Sequence, residues 1–114
     1  MSISLKEALV EKLYGDINRV ASYVCGTLRK KASIQELKEH NDPTFEEIRD
    51  ICLDLKTKLS EYDDKDNRID RAEELITVID EIIYAISEED NAMIVDCICH
   101  LDQFVEMHIQ KAEA

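Results

Sequence analysis

Apolar residues recur at intervals of three or four along most of the chain, which is the spacing of one face of an α-helix. The repeat is strictest in the stretch after residue 68, where one stripe contains Ile69, Ala72, Ile76, Ile79, Ile83 and Ile86. Three further apolar residues widen that stripe, as in a helix covered by more than one neighbour: Leu75, Val78 and Ile82. The pattern predicts a series of amphipathic helices.

Capping boxes indicate where these helices begin. In a capping box, Ser or Thr precedes an acid by three residues, and its hydroxyl accepts a hydrogen bond from an N–H group that lacks a partner inside the helix. The sequence contains four such pairs: Ser4 with Glu7, Ser33 with Glu36, Thr44 with Glu47, and Ser87 with Asp90. Together with the apolar repeats they predict helices over 5–31, 34–39 and 44–62, a third long helix through 69–86 capped by Asp66 or Asn67, and a last one from Glu88 to near Ala112.

Four long helices joined by short connections favour antiparallel neighbours, so the sequence predicts an all-α fold. We expect one domain over 1–114, an antiparallel bundle of about four main helices with a short helical turn near 34–39. The alternative is a partly open bundle that a second copy completes as a homodimer. Gly15 and Gly26 fall inside the first helix, where a bend, a break near Gly26 or a close helix contact is expected.

The longest apolar run is far shorter than the roughly 20 residues that a membrane-spanning helix needs. The first residues also lack the apolar core of a signal peptide, since charges occur at Lys6, Glu7, Glu11 and Lys12. These features favour a cytoplasmic protein with no membrane partner. Its four cysteines are then expected to be reduced thiols.

Negative charge is concentrated in one part of the chain. Residues 42–90 contain seventeen acidic and six basic residues, a net charge of −11, whereas residues 1–41 contain five acidic and seven basic residues. A negative field of this kind repels nucleic acid and attracts basic surfaces over about one Debye length, roughly 8 Å at physiological salt. We therefore expect a partner protein with a basic surface and no direct binding of nucleic acid.

The acids predicted to contact that partner lie on two helical stripes and the turn that joins them. They are Glu47, Asp50, Asp54, Glu61, Asp63, Asp64, Asp66, Asp70 and Glu73. Their spacing along a helix, about 5 to 6 Å, is comparable to phosphate spacing, so DNA mimicry is one interpretation. A solvated outer face gives the same spacing, because the core stripe takes the other positions. The favoured hypothesis is a non-enzymatic inhibitor that docks this face on a basic surface of a nucleic-acid-handling protein.

Two alternatives come from other residues. A helical adaptor or dimerisation module would use an exposed apolar strip formed by Leu53, Leu75 and Ile82. A magnesium-dependent nucleotide pyrophosphohydrolase would hold its metal through paired carboxylates, for which the candidates are Glu46, Glu47, Asp50, Asp80 and Glu81. These acids mostly fall opposite the apolar stripe, which disfavours the hydrolase.

The sequence Cys97-x-Cys99-His100, with His108 further along, contains residue types that bind metals. On a continuous helix Cys97 and Cys99 point about 200° apart, so they cannot hold one ion together. Cys97, His100 and His108 could do so together with Cys25 or Cys52 from another helix. The favoured interpretation has Cys97 in the core and Cys99 and His100 at its boundary, with no metal and no cofactor.

Overall fold

The computed structural model describes residues 4–30, 33–40, 43–62 and 68–113, with side chains described as far as residue 106. These residues form five α-helices and no strand: α1 (Leu5–Lys30), α2 (Ile34–Glu39), α3 (Phe45–Tyr62), α4 (Arg68–Ser87) and α5 (Asn91–Glu113). The predicted all-α fold is confirmed. The predicted end of the first helix at Lys31 and the predicted cap at Asp66 or Asn67 lie outside the described residues.

The four long helices form a ring in which α1 contacts α3 and α5, and α4 contacts the same two helices from the opposite side. Ion pairs show that α3 and α4 are antiparallel, since Arg49 pairs with Asp80 and Lys56 with Glu73. The ring is thus an antiparallel four-helix bundle, as predicted from the short connections. The short helix α2 packs against α4 at one end of it.

One hydrophobic core runs through the bundle and receives residues from all five helices. Leu75 and Ile82 are fully buried in it, because α4 packs against both α3 and α5 and the wide apolar stripe is covered on both sides. The exposed apolar strip predicted from Leu53, Leu75 and Ile82 is therefore wrong. Of these three residues Leu53 alone is exposed, at 41%.

Helix α1 is continuous through Gly15 and Gly26. A Cβ atom added at either glycine would meet nothing within 4 Å. The expected break and close helix contact do not occur, and neither glycine is required by the packing around it.

The junction between α4 and α5 differs from the prediction. Ser87 is the last residue of α4, and its hydroxyl donates to the carbonyl oxygen of Tyr84 instead of capping a new helix. Glu89 has a φ of 56°, and the N–H groups of Glu89 and Asp90 bond back to Ile86 and Ala85, which is the Schellman arrangement that ends a helix. The last helix therefore begins at Asn91 rather than Glu88.

The other three capping boxes are confirmed. The hydroxyls of Ser4, Ser33 and Thr44 accept hydrogen bonds from the third residue after each, at 3.1, 3.3 and 3.1 Å. Over the described residues, the bundle contains no helix with the length and apolar character needed to cross a bilayer.

Candidate protein-binding surface

Six of the nine predicted partner-binding acids lie among the described residues, and all six are exposed. On α3 they are Glu47, Asp50, Asp54 and Glu61, and on α4 they are Asp70 and Glu73. The remaining three, Asp63, Asp64 and Asp66, lie outside the described residues. Because α3 and α4 are neighbours, the fold places the six acids on adjoining helices.

Ion pairs occupy the seam between these two helices. Arg49 Nε lies 2.5 Å from Asp80 Oδ1, and Lys56 Nζ lies 2.9 Å from Glu73 Oε1. Glu73, which was predicted to lie on the acidic stripe of α4, and Asp80 are therefore turned toward α3 and matched by bases. The acidic stripes of α3 and α4 are separated by this seam and do not form one continuous row of carboxylates.

The basic residues of α4 also have partners inside the molecule. Arg71 donates from Nη2 to the Phe104 carbonyl oxygen at 2.9 Å, and its guanidinium carbon lies 3.8 Å from the centre of the Phe104 ring. Arg68 lies over the ring of Tyr14, 5.8 Å from its centre. Both guanidinium groups thus contact uncharged groups of the same molecule.

Four of the five acids of α3 have no ion pair among the described residues: Glu46, Glu47, Asp50 and Glu61. Asp54 does have one, since Lys58 Nζ lies 2.9 Å from its Oδ2. The hydrogen bond and the charge of Asp54 raise the pKa of Lys58, so this lysine keeps its charge. Glu47 accepts a hydrogen bond from the Thr44 hydroxyl at 3.2 Å and completes the cap of α3.

An apolar groove lies beside the α3 acids, between α1 and α3. Its volume is about 250 Å³. It is lined by Arg19, Val20, Tyr23, Pro43, Ile48 and Ile51. Ile48 is buried beneath it, while Tyr23 and Ile51 are 43% and 47% exposed. The sequence pattern did not predict this groove, although Ile51 is an isoleucine outside the apolar stripe of α3 and thus indicated an exposed apolar residue.

The Tyr23 side of the groove is held by two further contacts. The Tyr23 hydroxyl lies 3.2 Å from His40 Nε2. The His40 ring in turn packs against Phe45, with 5.5 Å between the ring centres. Tyr23 is thus linked through His40 to the buried first residue of α3, which orients its ring at the groove.

Two basic residues near the junction of α1 and α2 are matched by acids of the same molecule. Arg29 pairs with Asp102 of α5. Lys38 Nζ lies 2.6 Å from Glu89 Oε1, and this contact lowers the pKa of Glu89 through its hydrogen bond and charge. Arg29 and Lys38 are thus matched within the molecule, whereas Lys30 is exposed and has no ion pair among the described residues.

The carboxylates considered for a magnesium site do not converge. Glu46, Glu47 and Asp50 lie exposed on α3, and Asp80 is paired with Arg49. Glu81 lies on the side of α4 that faces Cys97 of α5. No three His, Cys, Asp or Glu side chains within the described part of the chain are arranged to hold a metal ion.

The cysteines are free thiols in the structure. Cys25, Cys52 and Cys97 are buried, as predicted for Cys97, whereas Cys99 is exposed and not at the core boundary where it was predicted. Burial raises the pKa of Cys52 to about 12 and that of Cys97 to about 11. These two thiols are therefore protonated core residues at neutral pH.

The histidine of the same motif has an acidic partner. His100 Nε2 lies 2.8 Å from Glu74 Oε1 across the α4–α5 contact, and His100 is half-buried. The side chain of His108 lies outside the described ones. The pair thus links two helices at the boundary of the core, where His100 was predicted.

The sequence matches no protein-family model, and no curated protein or solved structure is significantly similar to it.

Proposed function

We propose that this protein is a non-enzymatic binding protein that docks the outer face of α3 on a basic surface of a partner protein. The observation that carries the proposal is that the basic residues of α3 and α4 have partners within the molecule, while several of their acidic residues have no ion pair in the described part of the chain. Their Lys and Arg residues contact groups of the same molecule, whereas Asp50, Glu61 and Asp70 are exposed and have no ion pair among the described residues.

The geometry of α3 supports a role for its acids as a set. Asp50 and Glu61 are eleven residues apart, about three helical turns, so they lie on the same side of α3 and about 16 Å apart along its axis. Carboxylates fixed on a helix can meet several cations of a partner without reorganising the backbone. Like charges held close together destabilise a fold, and a basic partner removes that repulsion.

Where the basic surface of the partner normally holds nucleic acid, docking of α3 blocks that site and makes the protein an inhibitor. The ion pairs between α3 and α4 interrupt the rows of carboxylates. We therefore expect the protein to compete with nucleic acid through the outer face of α3 alone and not by reproducing a whole phosphate backbone. Salt weakens such an interaction mainly by slowing association, because it screens the field that steers the two proteins together.

A capture experiment tests this proposal. The immobilised protein is incubated with host lysate, bound proteins are eluted with a salt gradient, and the association rate of the purified partner is measured at several salt concentrations. We expect elution by salt and an association rate that falls as salt rises. An association rate independent of salt contradicts the proposal.

A pair of charge-reversal variants localises the surface. The double variant Asp50→Lys, Glu61→Lys is expected to slow association at least tenfold. The matched control Asp96→Lys, Glu106→Lys changes the same charge at two exposed residues of α5, which lies across the bundle from α3. Equal effects of the two variants mean that net charge alone matters and that α3 is not the docking face.

A further inference from the structure

We infer that the groove between α1 and α3 receives an apolar side chain from a basic amphipathic helix of the partner. The inference rests on the proposed function and specifies the partner segment: apolar on the side that faces the groove, with Lys or Arg beside it. Two features of the groove carry it, an exposed apolar lining and an acidic border.

The groove brings two exposed apolar side chains together. Tyr23 and Ile51 are both more than two fifths exposed, and they face the same groove above the buried Ile48. The volume of 250 Å³ corresponds to about eight water molecules at liquid density, enough for an aliphatic side chain. Displacing water from these apolar walls favours binding.

The border of the groove is negative on its α3 side. Glu47 and Asp54 lie four residues before and three residues after Ile51, so they flank it on the helix surface, and Asp50 is its sequence neighbour. The cation that lines the groove, Arg19 of α1, is paired with Asp16. A segment that fills the groove therefore meets the carboxylates of Glu47 and Asp50, which have no ion pair among the described residues, and cationic side chains complement them.

The groove is partly organised before binding. The hydroxyl of Tyr23 contacts His40, and His40 packs on Phe45, so the aromatic wall need not be ordered by the partner. Pro43 adds a second wall with a restricted backbone. Preorganised walls reduce the entropy lost on binding.

A second copy of this chain does not complement the groove. The chain has a net charge of −12, so two copies repel each other. The basic residues Arg29 and Lys38, which could oppose this border, are paired with Asp102 and Glu89 of their own chain. A basic helix from a different protein fits both the apolar and the charged parts of the site.

Two synthetic peptides test the inference. The first is a fluorescein-labelled 16-residue helix with Leu on one face and Lys and Arg elsewhere, and the second has the same charges with Ala at each Leu. Binding to the full chain is measured by fluorescence anisotropy. We expect the Leu peptide to bind at least tenfold more tightly than the Ala peptide, and Ile51→Ser to remove that difference.

The controls separate this inference from the proposed function. Leu53→Ser changes an exposed residue on the same helix outside the groove lining and should leave the tenfold preference intact, and circular dichroism checks that each variant is folded. A preference that survives both Ile51→Ser and Tyr23→Ala overturns the groove inference. Asp50→Lys, Glu61→Lys should weaken both peptides, and if it weakens neither, the proposed function fails as well. A wild-type chain that binds neither peptide contradicts both.

Discussion

Asp90 Oδ1 accepts a hydrogen bond from the Met93 N–H at 3.0 Å, and this contact caps the first turn of α5. The Schellman turn at Glu89 brings Asp90 into the position that precedes the helix. The carboxylate also lies at the positive end of the α5 dipole, where a negative charge stabilises the helix. The junction between the last two helices of the bundle is therefore fixed by Asp90.

Asp90→Ala removes this cap and leaves an N–H group of α5 without its acceptor. We expect the free energy of unfolding to fall by about 1 kcal/mol, measured by urea denaturation. Ser87→Ala is the matched control, because the Ser87 hydroxyl bonds within α4 and is expected to change stability by less than about 0.5 kcal/mol. A larger loss of stability for Ser87→Ala than for Asp90→Ala would show that Ser87, and not Asp90, caps α5.

The burial of α4 gives a second prediction. Leu75 is fully buried where α4 meets its neighbours, so Leu75→Ala is expected to lower the free energy of unfolding by about 2 to 5 kcal/mol through lost burial and a residual cavity. Leu53→Ala makes the same chemical change at an exposed position and should cost less than about 1 kcal/mol. Similar losses in urea denaturation would show that Leu75 is not in the core.

Local interactions explain which parts of this fold could be predicted from the sequence. The starts of α2 and α3 depend on Ser33 and Thr44, whose hydroxyls act on groups three residues away. At the start of α5, both Ser87 and Asp90 could cap the helix. Asp90 does so because Glu89 adopts a left-handed conformation that ends α4, although the residue usually found in that conformation is glycine. The sequence pattern has no signal for that conformation.

The surface was harder to predict because it depends on how the helices are aligned. The exposed acids of α3 follow from its apolar stripe, but the matching of Lys56 with Glu73 requires the register between α3 and α4. The groove similarly requires α1 to place Tyr23 opposite Ile51. Periodicity within one helix specifies neither relationship.

The open space around Gly26 leads to a third prediction. Gly26→Ala is expected to raise the free energy of unfolding by about 0.5 to 1 kcal/mol, since alanine restricts the unfolded chain and favours helix while its Cβ meets no atom within 4 Å. Gly15→Ala should give a similar gain for the same reason, and the two gains should add because the sites lie about 16 Å apart along α1. A loss of stability in urea denaturation at either site would contradict the packing described here.

The buried thiol of Cys52 predicts how stability depends on alkaline pH. Burial raises the pKa of Cys52 from 9.0 to about 12, so the folded protein keeps a proton that the unfolded chain releases. The stabilisation from burying the neutral thiol is complete below about pH 9 and is lost as pH rises from there toward 12. The slope contributed by one such thiol approaches about 1.4 kcal/mol per pH unit. Between pH 9 and 10.5, we expect the free energy of unfolding of Cys52→Ala to decline less steeply than that of the wild type, by an amount of this order. The control is Val78→Ala, which truncates a buried residue without an ionisable group. It should lower the free energy of unfolding at every pH without changing the slope. Parallel curves for wild type and Cys52→Ala in urea denaturation would show that this thiol does not titrate with unfolding.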